Sequence, residues 1–500
     1  MTKSRHRTHP AVISFALMAG IISTFGRPQA AQAQTGDGQA IYDQRCAVCH
    51  GENGDGAGPG ADLMFPRPRD FTSGAFKIRT TTSDSPPTDE DLIRVISQGM
   101  PGTTMPAWGN VLSNDEMAAV AQYVKSFTDI FEDEAQPVLV GDRVRADAES
   151  IARGAEVYRQ VQCFKCHGDE GRGDGPSALT LTDEFDQVIY PADLSQAWFF
   201  RGGGTAEDIY LRIMGGMIGS PMPSFADALL DEQMRWDLVN YVDSLSPDTL
   251  PELPPAVVAH RVEGAIPDDP KADAWQTASQ AYYPLAGQIM VEPRNFTPSI
   301  TGVWLRALYN GRELALLVQW SDRQENTGQD GQPADAMAVQ FPAALPEGDE
   351  RPYFVFGDNS HPVNLWTWTA GAGAAVEQNG RGLATLEPQA TQNVQATAAY
   401  ANGRYSVIFR RALNTGDRED ITFSPGVFVP IAFAASDGLR GEQPGSGALS
   451  SWQQLYLEQP ASPTRIIWIP VAMAGIGLLE GLTLWLTRRQ KAGPSHTNET

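Results

Sequence analysis

The stretch "CAVCH", Cys46 to His50, returns as "CFKCH", Cys163 to His167, and the two pentapeptides hold all four cysteines of the 500-residue chain. Their offset is 117 residues, and the same offset separates two methionine–proline steps, Met105 in "TTMPAW" and Met222 in "GSPMPSF". The histidine-to-methionine spacing is therefore 55 residues in both copies. The parts around these points also recur in order. A short amphipathic lead-in places Tyr42 or Tyr158 just ahead of the cysteines, and "GENGDGAGPG" or "GDEGRGDGP" follows, too glycine-rich for regular helix. After each methionine comes an acidic start and a helical apolar spacing: Met117, Val120, Ala121 and Val124 in the first copy, Met234, Leu238, Tyr241, Val242 and Leu245 in the second. The unit is small, mostly helical and duplicated.

Two thiols three positions apart, closed by a histidine, suit covalent attachment of a haem: the thiols add to the two vinyl groups and the adjacent imidazole reaches the iron. Cys46, Cys49, Cys163 and Cys166 are the expected attachment points, and His50 and His167 the expected axial ligands on one face. A thioether from a later loop suits the opposite face, which assigns Met105 and Met222, with Met64, Met100, Met214 and Met217 as rivals. A redox dithiol or a disulfide does not need the histidine twice, and a zinc site would draw both motifs into one cluster. Iron held by His and Met on its two faces has no open position, so the two haems c are expected to pass single electrons, with no catalytic residue in the chain.

Residues 36–130 and 148–247 resemble two class I cytochrome c domains, through Cys46, Cys49, His50 and "GMPGTTMPAW" in one and Cys163, Cys166, His167 and "MGGMIGSPMPSF" in the other. That resemblance implies an all-α fold of a few helices around one haem, twice over.

The ends carry a different message. Lys3, Arg5 and Arg7 precede an apolar stretch from Ala11 to Phe25 and then "AQA", Ala31 to Ala33, the order of a secretory signal over residues 1–33. At the other end "IIWIPVAMAGIGLLEGLTLWLT", Ile466 to Thr487, has the length for a ~30 Å hydrocarbon core and carries Trp468 and Trp485 near its ends. Arg488, Arg489 and Lys491 follow, so a single C-terminal span is expected with residues 488–500 cytoplasmic and the bulk on the periplasmic or extracytoplasmic side. Against 37 basic residues stand 60 acidic ones, a net charge of −23, which argues against a nucleic-acid partner.

Past Val242 the text turns to "SPDTLPELPPAVVAH", a proline-rich linker over 248–260, and then to strand patterns over 261–455. "RELALLVQW", "AMAVQFP", "PYFVFGD" (Pro352 to Asp358) and "GRYSVIFRR" are rich in β-branched and aromatic residues and cut by Gly, Asp and Pro, as in an antiparallel sandwich. The order of these segments with "PVNLWTW" resembles the haem-b-binding subunit of ethylbenzene dehydrogenase, whose family implies a haem b gripped by a methionine and a lysine. Here Phe356 stands where the methionine is expected, Thr397 near the lysine position, and residues 272–489 contain no lysine. The remaining candidates are Met290, Met337, which alternates with core residues, and His361, which sits in a loop. A sandwich that keeps the fold, has lost the haem b and serves in docking is the expectation.

The domain order resembles the cytochrome subunit of exported nitrite oxidoreductases and related nitrate reductases. It implies a membrane-anchored relay partnered by a molybdenum catalytic subunit and an iron–sulfur subunit on one side and a soluble cytochrome c or terminal oxidase on the other. The alternatives are a dihaem enzyme, peroxidase or dehydrogenase, and a passive membrane tether.

Overall fold

A computed structural model describes residues 37–247, 251–296, 298–329, 331–348 and 350–460. The expected signal sequence and the expected span at 466–487 with its tail lie outside the described residues. Among the described residues no helix is long and apolar enough to cross a membrane.

The first helical module consists of α1 (Gly38–Arg45), α2 (Ala47–His50), α3 (Asp89–Gln98) and α4 (Asn114–Lys125). The second repeats it as α5 (Ala148–Gln160), α6 (Phe164–His167), α7 (Ala206–Gly215) and α8 (Glu232–Ser244). In each, the first and last helices pack across one another where a glycine lets two backbones meet. A Cβ on Gly38 would collide with the Ala119 carbonyl, and one on Gly154 with the Asp237 carbonyl. The apolar face read on α4 is the buried one, Met117, Val120, Ala121 and Val124. On α8 Leu238 and Val242 are buried, joined by Trp236 and Val239, whereas Met234, Tyr241 and the following Leu245 are only partly buried against the same core. Helices α3 and α7 start in matching capping boxes, Thr88 with Asp91 and Thr205 with Asp208, which satisfy N–H groups the first helical turn leaves unpaired.

Residues 131–147 do not hang free between the modules. Val138 donates its N–H to the Thr80 carbonyl, Thr82 donates to that of Gln136, and Gly141 donates to the Glu232 carboxylate of α8. The connection is thus pinned to both modules.

The rest of the described chain is a β domain with one short helix, α9 (Asp273–Thr277). Its strands are β1 (Val257–Arg261), β2 (Ala281–Pro284), β3 (Ala286–Gly287), β4 (Gly302–Tyr309), β5 (Glu313–Ser321), β6 (Ala336–Pro342), β7 (Val363–Thr369), β8 (Val376–Gly380), β9 (Glu387–Pro388), β10 (Gln395–Ala401), β11 (Arg404–Ala412), β12 (Phe428–Ser436), β13 (Ala448–Leu449) and β14 (Gln453–Leu457). Hydrogen bonds connect eleven of them in the order β10-β11-β5-β4-β1-β14-β12-β6-β7-β8-β9, while β2 pairs with β4, and β13 pairs with β12 and β3. Strand β12 pairs with β14 through Phe428–Ile431 and with β6 through Ala432–Ser436, so one ladder passes between the two halves of the sandwich. Leu316, Val318 and Trp320 from one half and Val339, Phe341 and Trp366 from the other share a single core.

Three readings are corrected. The segment Pro352–Asp358 is a turn, not a strand: Phe356 has φ +61° and Gly357 φ +81°, values a ladder does not accept. Residues 257–260, assigned to the linker, belong to the central strand β1, because the prolines end at Pro255 and the "VVAH" that follows alternates buried and half-buried positions. The sandwich is also not purely antiparallel, since β1 runs parallel to both β4 and β14.

A fully buried charge cluster fastens the β7–β8 side. The Arg411 guanidinium lies 3.0 Å from Glu377 and 3.8 Å from Asp420, over the rings of Trp366 and Phe423. Burial, the largest influence, raises the Glu377 pKa, with Arg411 opposing it. Arg411→Met would leave both carboxylates buried without their cation. A loss of about 3–5 kcal/mol is expected in the unfolding of this domain, followed by near-ultraviolet circular dichroism.

Candidate functional site

Each pentapeptide is a single short helix, α2 or α6, held at both ends by the same contacts. The hydroxyl of Tyr42 donates to the Gly51 carbonyl at 2.8 Å, and that of Tyr158 to the Gly168 carbonyl at 2.7 Å. Gly51 and Gly168 have φ +80° and +81°, so the chain can turn sharply away just after each histidine. The two tyrosines, visible in the sequence as recurring positions, thus bracket the motifs.

Both histidine rings are oriented in the same way. His50 Nδ1 is 3.0 Å from the Arg69 carbonyl and His167 Nδ1 is 3.0 Å from that of Ala192. A carbonyl can only accept, so Nδ1 carries the proton in each and Nε2 is left as the ring's lone-pair nitrogen. Burial lowers both imidazole pKa values, which keeps the rings neutral and able to coordinate. No disulfide joins any of the four cysteines, and burial raises the pKa of each unattached thiol, Cys46 to about 11 and Cys163 to about 12. The His50 ring also stacks on Phe71, with centroids 4.5 Å apart.

The methionine loops are superposable in their hydrogen bonding. Met100 donates its N–H to the Met105 carbonyl, Thr103 returns two bonds to the Met100 carbonyl, and the Thr103 hydroxyl accepts from the Met105 N–H. Met217, Ser220 and Met222 repeat every one of these bonds 117 residues later.

Cys46, Cys49, His50 and Met105 line one cavity of about 170 Å3, together with Phe71, Ile96 and Trp108. Cys163, Cys166, His167 and Met222 line another of about 620 Å3. Of the rival methionines, Met64 and Met100 reach the first cavity and Met217 the second, whereas Met214 is buried in the core and does not line the second cavity. Each cavity thus brings together two thiols, a neutral imidazole with Nε2 free, and a thioether, in mainly apolar walls, which is the donor set of a covalent haem.

The larger cavity extends to the β domain, where Leu285, Ser299, Asp322, Arg323 and Arg440 border it. The second module and the sandwich meet around aromatic rings: Trp198 packs edge-on against Tyr282 and Trp304, and Tyr190 carries the Arg323 and Arg440 guanidinium groups within 4.6 and 5.2 Å of its ring centre.

The two helical modules are joined by residues that sequence reasoning did not single out. Arg212 on α7 is buried and donates to the Lys77 and Arg79 carbonyls of the first module. Burial pulls its pKa down to about 10. Arg94 of α3 pairs with Asp208 at 2.6 Å, and Arg69 pairs with Glu184. Apart from Asp208, which also closes the Thr205 capping box, none of these lies in a motif.

The candidate haem-b positions are far less alike. Phe356 is buried among Val355, Leu365 and Leu383, Thr397 is exposed on β10, which pairs only with β11, and Met337 is fully buried in the core. Met290 is half exposed, and His361 is engaged by Glu350 at 3.1 Å and Asp358 at 3.4 Å.

Two helical modules, each closing an apolar cavity over a CxxCH helix and a methionine loop, define a dihaem c-type cytochrome with a β-sandwich attached. The family models agree: residues 33–124 match the cbb3-type cytochrome c oxidase subunit III, residues 151–246 match cytochrome c, and residues 272–385 match ethylbenzene dehydrogenase. A cytochrome c6 of Chlorolobion braunii is 33% identical over 87 residues, 17% of this chain and 83% of that protein. The chain belongs to the cytochrome c family, and two covalently bound haems c are its cofactors. It is also similar to a putative respiratory nitrate reductase heme subunit of Haloferax mediterranei, 27% identical over 42% of this chain and 77% of that one. The chlorate reductase subunit gamma of Ideonella dechloratans is 28% identical over 39% of this chain and 81% of its own length.

Replacing Arg212 by methionine would leave the Lys77 and Arg79 carbonyls buried without their donor. At roughly 1.5–3 kcal/mol for each charged hydrogen bond, the two modules should part more readily. Faster proteolytic cleavage within residues 131–147 of the folded protein is the expected reading.

Proposed function

We propose that this chain is the membrane-anchored electron-transfer subunit of an exported molybdenum oxidoreductase complex of the nitrite oxidoreductase or nitrate reductase type. The observation that carries the relay is the meeting of the two cavities: Pro66, Lys77, Thr103, Thr104 and Arg201 line both. Groups held in cavities that share a wall are close enough to exchange electrons without a mobile carrier. When bound, each haem supplies a one-electron couple and no open coordination position.

Cys46 and Cys49 would hold the first haem and Cys163 and Cys166 the second, His50 and His167 would offer Nε2 as iron ligands, and Met105 and Met222 would offer their thioethers. The role of the chain is to fix these ligands, exclude water with apolar walls and present the second module to the sandwich. Relatives whose names place them in nitrate and chlorate reductases support a reductase-type partner. By the implied domain order, a molybdenum subunit and an iron–sulfur subunit exchange electrons with the haems, and a soluble cytochrome c or terminal oxidase takes the other end. The order of charge and apolar stretches at residues 1–33 and 466–491 supports an exported body on the periplasmic or extracytoplasmic side with a C-terminal anchor.

The test uses the complex solubilised in detergent from its native membrane. Wild type should give two haems c by pyridine haemochrome and carry molybdenum through purification. The double variant C46S/C49S should keep one haem, as should C163S/C166S. Met105→Ala and Met222→Ala should each stop electron flow through the assembled complex and lower one midpoint potential, because a thioether ligand favours the reduced iron. Normal turnover in both methionine variants would refute the relay, and absence of molybdenum would refute the partner.

A further inference from the structure

Lys77 belongs to the first module and Arg201 to the second, yet each lines the cavity of the other module as well as its own. Lys77 is 8% exposed, and among the described residues its ammonium makes no hydrogen bond or ion pair. Burial, with the Arg69 and Arg201 charges next, pulls its pKa down to about 8. The carboxylates that act on it from a distance are already committed. Glu184 pairs with Arg69, and Asp183 accepts the N–H groups of Phe185 and Gln187. The Arg201 guanidinium likewise makes no hydrogen bond or ion pair among the described residues, and burial lowers its pKa too.

Two neighbouring cations withdrawn from water, without paired carboxylates, are a costly arrangement unless anions meet them. The second observation is their place: the wall common to both cavities, where any anion they bind belongs to one of the two occupants. A haem carries two propionates, the charged part of an otherwise apolar ring. Arg212 adds a positional argument, since its bond to the Lys77 carbonyl from the second module fixes the backbone from which Lys77 projects.

We propose that Lys77 and Arg201 form a cationic bridge that binds propionates from both haems, each module lending its cation to the haem of its neighbour. The bridge rests on the two-haem reading above. It makes the pair of haems one electrostatic unit: a positive charge shared between them stabilises the reduced state of both irons, and loss of either cation is felt at both. Lys77 and Arg201 would act on the irons electrostatically through the propionates, without coordinating either iron.

Equilibrium redox titration of the holoprotein, followed in the visible haem bands, tests the bridge, with a pyridine haemochrome count of two haems as the entry condition. That count separates failure of the haem reading from failure of the bridge. In Lys77→Gln, both one-electron waves should move to lower potential, by roughly a tenfold change in the oxidised-to-reduced ratio, ~59 mV for one electron. Arg201→Gln should do the same, and Lys77→Arg, which keeps the charge, should leave both waves near their wild-type positions. A shift confined to one wave, or no shift in either Gln variant, overturns the proposal. Should Lys77→Gln fail to retain two haems, the Arg201→Gln titration decides by the same criterion.

Discussion

The arrangement depends on one buried guanidinium. Arg212 leaves helix α7 of the second module and donates to the Lys77 and Arg79 carbonyls of the first, where water cannot compete for them. Burying a cation against neutral carbonyls is not inherently favourable, and its lowered pKa records that cost. What it secures is position. Two modules joined by surface charges alone could slide, whereas a fork of N–H groups on two carbonyls two residues apart admits one register. The Arg94–Asp208 and Arg69–Glu184 pairs lie around it and support the same register.

From that register follows the shared wall. Each module builds its own cavity from local parts: a tyrosine bracket, a glycine turn, a histidine tethered through Nδ1, and a methionine loop closed by a Thr or Ser hydroxyl. The parts recur with the 117-residue offset, and the local hydrogen bonds recur with them. Their meeting is not duplicated, since an interface between two copies has no counterpart within one. The larger size of the second cavity has the same origin: it borders the first module on one side and the sandwich on another.

The β domain shows how a fold can be legible while its details are not. Three of the four expected strand segments coincide with β5, β6 and β11, because alternation and β-branched content are local signals. Pro352–Asp358 carries the same composition and is a turn, for Phe356 packs its ring inward from a left-handed backbone beside Gly445. Composition alone cannot separate an apolar turn from an apolar strand; the packing partner decides. The parallel pairing of β1 was equally hidden, since strand direction depends on where distant β4 and β14 lie.

By itself the sequence determined the chemistry of the site. Covalent attachment needs two thiols and an imidazole within five residues, so Cys46 to His50 and Cys163 to His167 announce themselves, and the repeated spacing points on to Met105 and Met222. Only the tertiary structure decided which methionines reach the cavities, and that Lys77, Arg201 and Arg212, from segments with no motif, stand at the junction between them. The reason is physical: a ligand set built on one short helix is encoded by adjacent residues, whereas buried charge between modules is set by neighbours more than a hundred residues away.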